Sequence, residues 1–138
     1  MPVGASAPML TWVIKDFKSV QDPKVIESPE FESGGCKWCV MFYPKGVTGH
    51  LSMSMYMAVV DSEDKPPGWK IDAKVWLSIE SQSERMVLDG EEIRFDAECP
   101  KWGMSNWFRL HKPKDCFLDL HGDLKIEAHV EVVHKSRV

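Results

Sequence analysis

Apolar and polar residues alternate with a period of two along most of this chain. Leu124, Ile126, Ala128, Val130 and Val132 form one side of such a pattern, with Lys125, Glu127, His129 and Glu131 on the other. Successive side chains of an extended strand point to opposite faces, so this run predicts a half-buried antiparallel strand. Leu51, Met53, Met55, Met57 and Val59 make a second apolar side, opposed by Ser52, Ser54, Tyr56 and Ala58. Ala73, Val75, Leu77 and Ile79 make a third. Between Cys36 and Phe42, the residues Trp38, Val40 and Phe42 alternate with Lys37, Cys39 and Met41. Shorter runs at Leu10–Ile14, Arg85–Leu88 and Glu92–Asp96 read as further strands.

Turn chemistry separates these runs. Pro44-Lys-Gly46, Pro66-Pro-Gly68, Asp89-Gly90 and His121-Gly-Asp123 all carry loop signals. Asp89-Gly90, set between two strand-like runs, is the best candidate for a two-residue hairpin. No window has the period of an amphipathic helix, and a short turn around Arg109–Asp115 is the most that pattern allows. Seven or eight short strands predict an all-β antiparallel sandwich. No repeat, linker or low-complexity segment interrupts residues 8–134, so they read as one domain, with 1–7 and 135–138 as flexible termini.

Composition narrows the function. At 138 residues the chain is long enough to bury a core without metals or disulfides. Apolar runs are too short to cross a membrane, and MPVGASAP lacks the basic and apolar regions of a secretory signal. With 17 basic and 21 acidic side chains the formal charge is −4, and no Lys/Arg cluster offers a grip on nucleic acid. Six Trp and eight Met are many for this length, and suit an adhesive surface as well as a core.

Candidate chemistry is sparse. Cys36-Lys-Trp-Cys39 has a redox or zinc spacing, but on a regular strand those positions face opposite ways. Cys99 and Cys116 form no second close pair, so the four read as free, largely buried thiols in a reducing, intracellular compartment. The five His are scattered beside turns or on polar faces, and Glu63-Asp64 and Glu91-Glu92 border turns as solvated charge. There is no G-x-S-x-G, phosphate-cradling glycine loop or H-E-x-x-H motif. Neither catalysis nor a metal or cofactor is expected.

Several landmarks occur together in one order. Thr11-Trp-Val-Ile-Lys-Asp-Phe17 is followed by Ser28-Pro-Glu-Phe31, Gly34-Gly-Cys-Lys-Trp38 and Tyr43-Pro-Lys-Gly46. His50-Leu-Ser-Met53, Pro67-Gly-Trp69, Trp102-Gly103 with Phe108 and Leu110, Phe117-Leu118 and Asp123-Leu-Lys-Ile126 complete the series. In this order the chain resembles a MATH domain, the meprin and TRAF homology fold, over nearly its full length. The resemblance implies an eight-stranded antiparallel β-sandwich without catalytic residues, binding short extended peptides in a shallow groove.

Carried over position by position, the groove would comprise Tyr56, Val75, Ile93, Lys101, Trp102, Gly103, Met104, Ser105 and Asn106. Met104 stands where an aromatic is usual, which would soften the pocket. Lys101 stands where an acidic residue is usual, a departure that admits either a preference for acidic peptides or a groove out of use. Tyr56 fits under one alignment and Ser54 under another two residues away, both on the same strand face. Alternation places Val75 with the core side of its strand, against the role the resemblance gives it. Trp12, Trp38 and Trp69 suit packing roles, the Met53/Met55/Met57 stripe suits core filling, and Trp76 and Trp107 are open. The resemblance further implies a substrate-adaptor or signalling setting, often in the ubiquitin pathway. It also implies a parent protein carrying a BTB module, a protease or a coiled coil beyond these residues, with any oligomerisation supplied by parts outside them. The competing reading is an assembly module that self-associates and takes no free peptide; nucleic acid and membranes are not expected partners.

Overall fold

A computed structural model describes residues 8–15, 25–44, 53–80, 85–105 and 123–138. Asn106, Trp107, Cys116 and the turn expected at Arg109–Asp115 lie outside those residues, as do parts of the Pro44–Gly46 and His121–Asp123 turns. The described strands are β1 (Leu10–Ile14), β2 (Ile26–Glu27), β3 (Phe31–Ser33), β4 (Cys36–Tyr43) and β5 (Ser54–Val59). They continue as β6 (Lys70–Glu80), β7 (Arg85–Asp96), β8 (Lys101–Met104) and β9 (Leu124–Ser136).

Every pairing among them is antiparallel. One sheet runs β1-β9-β6-β7; the other runs β2-β4-β5-β8, with β3 also paired to β4. Strands β2 and β3 lie along the same edge of β4, so they form one interrupted strand and the sandwich has four strand positions in each sheet. Ser28 fills the interruption. Its amide donates to the Val40 carbonyl at 2.9 Å, and its hydroxyl accepts from the Val40 amide at 2.8 Å. A side-chain hydroxyl thus takes a backbone place in the ladder immediately before Pro29, which has no N–H to offer.

The core contains the apolar sides read from alternation, joined by Ile71 and Phe95, which that reading did not include. Trp38, Val40, Phe42, Met55 and Met57 from one sheet meet Ile71, Val75, Leu77, Ile79, Phe95, Ile126 and Val130 from the other. Trp38 and Phe95 cross between the sheets edge to face, with centroids 5.0 Å apart. Ser33 donates its hydroxyl to the Val130 carbonyl at 2.6 Å, a second tie between layers. Trp69 and the methionine stripe are buried as expected, and Trp12 packs against the core from β1. Trp76 points to the outer side of its sheet yet is only 5% exposed, with the Arg85 guanidinium over its ring.

Two expectations change. Asp89-Gly90 is not a hairpin: Arg85–Leu88 and Glu92–Asp96 belong to one continuous strand paired along β6. Val75 pairs with Gly90 and Ala73 with Ile93, so Glu91 and Glu92 together face Lys74 in a β-bulge. The extra polar residue breaks the period of two and imitates a turn. The tight hairpin instead joins β3 to β4 through Gly34 and Gly35, whose φ angles of +62° and +78° are the positive values such a turn requires. At the other end, β9 runs through Lys135 and Ser136, which pair with Ile71 and Lys70 inside the segment expected to be a loose terminus. Among the described residues, no helix is long and apolar enough to cross a membrane.

Candidate functional site

Strand β8 is the outermost strand of its sheet among the described residues. Its register with β5 pairs Met104 with Met55, Gly103 with Tyr56, Trp102 with Met57 and Lys101 with Ala58. Since Met55 and Met57 are fully buried, Trp102 and Met104 share the inward side, while Lys101 and Gly103 share the outward side with Tyr56.

The inward half closes the end of the sandwich. Trp102 packs on the backbone of Gly90 in β7, where an added Cβ would lie 2.7 Å from Trp102 Cζ2 and 2.8 Å from Ile93 Cδ1. Gly90 therefore serves close approach between sheets, which is what a glycine inside a strand often marks. Ile93 and Trp102 at this seam, and Met104 on the inward side of β8, are only partly buried, leaving an apolar rim beside β8.

The outward half is aromatic and hydroxyl-bearing. Tyr43 and Tyr56 meet edge to face with centroids 5.9 Å apart. Lys101 Nζ lies 4.9 Å from the Tyr56 ring centroid, 5.4 Å from that of Tyr43 and 3.4 Å from Tyr43 Oη. Tyr56 Oη and Ser105 Oγ share a 2.7 Å hydrogen bond, and Ser54 Oγ donates to the Ser105 carbonyl at 2.9 Å. These two contacts pin Ser105, the residue after β8, to β5. Gly103 leaves no room for a side chain, because a Cβ there would collide with the Met55 carbonyl oxygen and approach Tyr56 Cα.

The residues expected from sequence fall into three groups. Tyr56, Lys101, Gly103 and Ser105 gather on the outer face, and Trp102, Met104 and Ile93 gather at the seam. Val75 belongs to neither. It is 0% exposed on β6, flanked by β7 and β9, and its side chain belongs to the core. Assigning it to a groove is corrected: its inward parity outweighs the family position. Ser54 and Tyr56, the alternatives of the two alignments, both face outward, but Ser54 is 1% exposed and Tyr56 is the one presented. Tyr43 and Gly90 were missed. Tyr43 stood inside the tyrosine-proline-lysine-glycine landmark and two positions from Met41, so strand parity alone marked it as outward-facing.

The thiols divide as the strand period requires. Cys36 joins the core, whereas Cys39 sits on the outer side of β4, and both are free. Burial, aided by the charges of Glu27 and Glu30, pushes the Cys39 thiol up to about 11. Cys99 is free but exposed, contrary to the expectation of burial.

A concavity of about 550 Å³ opens on the outer side of the other sheet, at the bulges beside Ala73. Arg94 and Asp72 line it as a two-pronged ion pair, with bonds of 2.8 and 3.0 Å. The Arg94 side chain holds the Asp72 carboxyl below the usual carboxylate range.

Residues 9–130 match the model of the MATH domain. The chain is 37% identical over 130 residues to a MATH domain and coiled-coil domain-containing protein of Arabidopsis thaliana, covering 89% of this chain and 38% of that protein. It is 34% identical over 130 residues to Protein RESTRICTED TEV MOVEMENT 3 of the same plant, covering 90% of this chain and 43% of the relative. With TNF receptor-associated factor homolog 1a, also from Arabidopsis thaliana, identity is 28% over 126 residues, covering 91% of this chain and 12% of that protein. The chain thus spans less than half the length of these curated relatives.

Proposed function

The chain belongs to the MATH domain family, whose members are generally protein-interaction modules, and we propose that it binds short, extended peptide segments of partner proteins along β8. The observation that carries this reading is the outer edge of β8, with Tyr56 and Lys101 on one side and Trp102 on the other. An incoming strand would take main-chain hydrogen bonds from the edge and selectivity from side-chain subsites above and below it. Gly103 keeps the strand close to β5, while the bonds from Tyr56 and Ser54 to Ser105 hold its end. The edge is therefore ordered before a ligand arrives, which lowers the entropic cost of binding.

The relatives' names support an adaptor role. One pairs the MATH domain with a coiled coil, and another is a TNF receptor-associated factor homolog. Of the three attachments implied by the family resemblance, these names favour a coiled coil in the parent protein, which would gather several such domains. The free thiols of Cys36 and Cys39 support an intracellular setting. A link to ubiquitin chemistry remains part of the same proposal.

The test is selection of a displayed random-peptide library on the purified domain, followed by NMR mapping of a selected peptide. Binding is expected in the range of ~1–100 μM, because a short peptide in a shallow groove buries little area. Shifts should concentrate on Lys101–Ser105 and Tyr56. Shifts confined to the concavity at Asp72 and Arg94 would move the site to the other sheet. Concentration-dependent dimerisation through β8, with no peptide selected, would replace this reading with self-association.

A further inference from the structure

Taking the β8 edge as the peptide site, we infer that the bound segment places a carboxylate side chain against Lys101 and an apolar side chain against Trp102, an odd number of positions apart. The first part follows from how Lys101 is held. Its ammonium faces two tyrosine rings and one phenol oxygen, and among the described residues no carboxylate pairs with it. A ring quadrupole attracts a cation without neutralising it. An ammonium has three donors, of which Tyr43 Oη engages one, so others can reach a ligand. Glu27, an acidic residue on the same face, belongs to β2 at the opposite edge of the sheet. At the usual strand spacing that is roughly 14 Å from β8.

The surroundings favour a carboxylate. Tyr43 is only 8% exposed and Ser54 1%, so the floor of this subsite is shielded from water and a charge-assisted hydrogen bond there is strengthened. Tyr43 Oη, beside the ammonium, would offer a second donor to the same carboxylate. One cation and one phenol match a single negative charge. A phosphorylated side chain carries nearly two, and typically draws on several arginine donors that this face does not present among the described residues.

The second part follows from strand geometry. A peptide extending the sheet from β8 would point alternate side chains to its two sides. Those on the outer side fall in the row of Lys101 and Gly103, and those on the inner side meet the rim of Trp102, Met104 and Ile93. An acidic and an apolar anchor must therefore differ by one, three or another odd number of positions.

Parallel library selections on the parent protein and on Lys101→Glu test this. The parent should enrich Asp or Glu at odd spacing from an aliphatic or aromatic residue, and Lys101→Glu should exchange the acidic preference for Lys or Arg while retaining the apolar one. In the best parent ligand, Asp→Asn should weaken binding about tenfold or more, the range of a hydrogen bond to a charged group. Replacing that Asp by phosphoserine should not strengthen it. Lys101→Met, which keeps the stem over the tyrosines, should lose the acidic preference and leave the protein folded. Peptides selected without charge preference, with one unchanged in Lys101→Glu, or with even spacing would overturn the inference and leave the peptide site standing. Failure of both proteins to select any peptide would remove the site, and the inference with it.

Discussion

Two charged sites, one on the outer side of each sheet, are built in opposite ways. On the four-stranded sheet, Arg94 grips Asp72 with two short bonds, and Lys125 lies 3.8 Å from Glu127. On the other sheet, Lys101 stands over tyrosines and no carboxylate meets it among the described residues. Exposed ion pairs satisfy their own members and add little to stability. A cation held by aromatic faces keeps its charge available, and the surrounding phenol and hydroxyl groups add donors and contact area. The difference separates the two sites: in the concavity Arg94 is already partnered by Asp72, whereas Lys101 on the aromatic face meets only rings and a phenol oxygen among the described residues.

The strongest way to break that contrast is Gly103→Ala. Its Cβ would meet backbone rather than a movable side chain, so β8 must separate from β5. A loss of about 2 kcal/mol in chemical denaturation is expected, together with loss of peptide binding. Unchanged stability would mean that β8 is not held this closely. Next comes Trp102→Ala, expected with Tyr56→Ala to weaken peptide binding by ~1–3 kcal/mol, as measured by calorimetry. If both variants fold and bind like the parent, the site is misplaced. Tyr56→Phe should cost less, about 0.5–1.5 kcal/mol of stability, because only the bond to Ser105 is lost.

Thiol chemistry sharpens the same map. At pH 8, exposed Cys99 should be alkylated well before Cys39, whose pKa near 11 leaves little thiolate. Equal labelling by peptide mass mapping would show the outer side of β4 to be open. The smallest effect belongs to Asp72→Asn. The native Asp72 carboxyl has a lowered pKa, so its contribution is complete above the ordinary carboxylate range and is lost as pH falls through the folded-state value. The small difference in Tm between parent and variant should therefore vanish in acid. A difference that grew in acid would have the wrong sign.

Much of this architecture was legible because strand parity is a local rule. Leu10–Ile14 and the run from Cys36 to Phe42 needed only the identity of alternate residues, and the same rule turned Cys36 and Cys39 apart. It even opposed the groove role for Val75 that the resemblance suggested. The errors arose where two strands or two sheets meet. Asp89-Gly90 imitates a hairpin because a bulge and a turn both interrupt alternation, and only the partner β6 distinguishes them. Gly90 is bare because Trp102, twelve residues later in the chain and in the other sheet, packs against it.

By itself, then, the sequence determined the all-β class, the inward sides of β4, β5, β6 and β9, the family and the identity of Tyr56, Lys101 and Trp102 as residues to watch. The physical reason is that period and landmark order are properties of one strand at a time. Only the tertiary structure decided that Trp102 and Met104 face the seam while Lys101 joins Tyr43 and Tyr56. Those three come from β8, β4 and β5, and their meeting depends on strand order and register across the sheet.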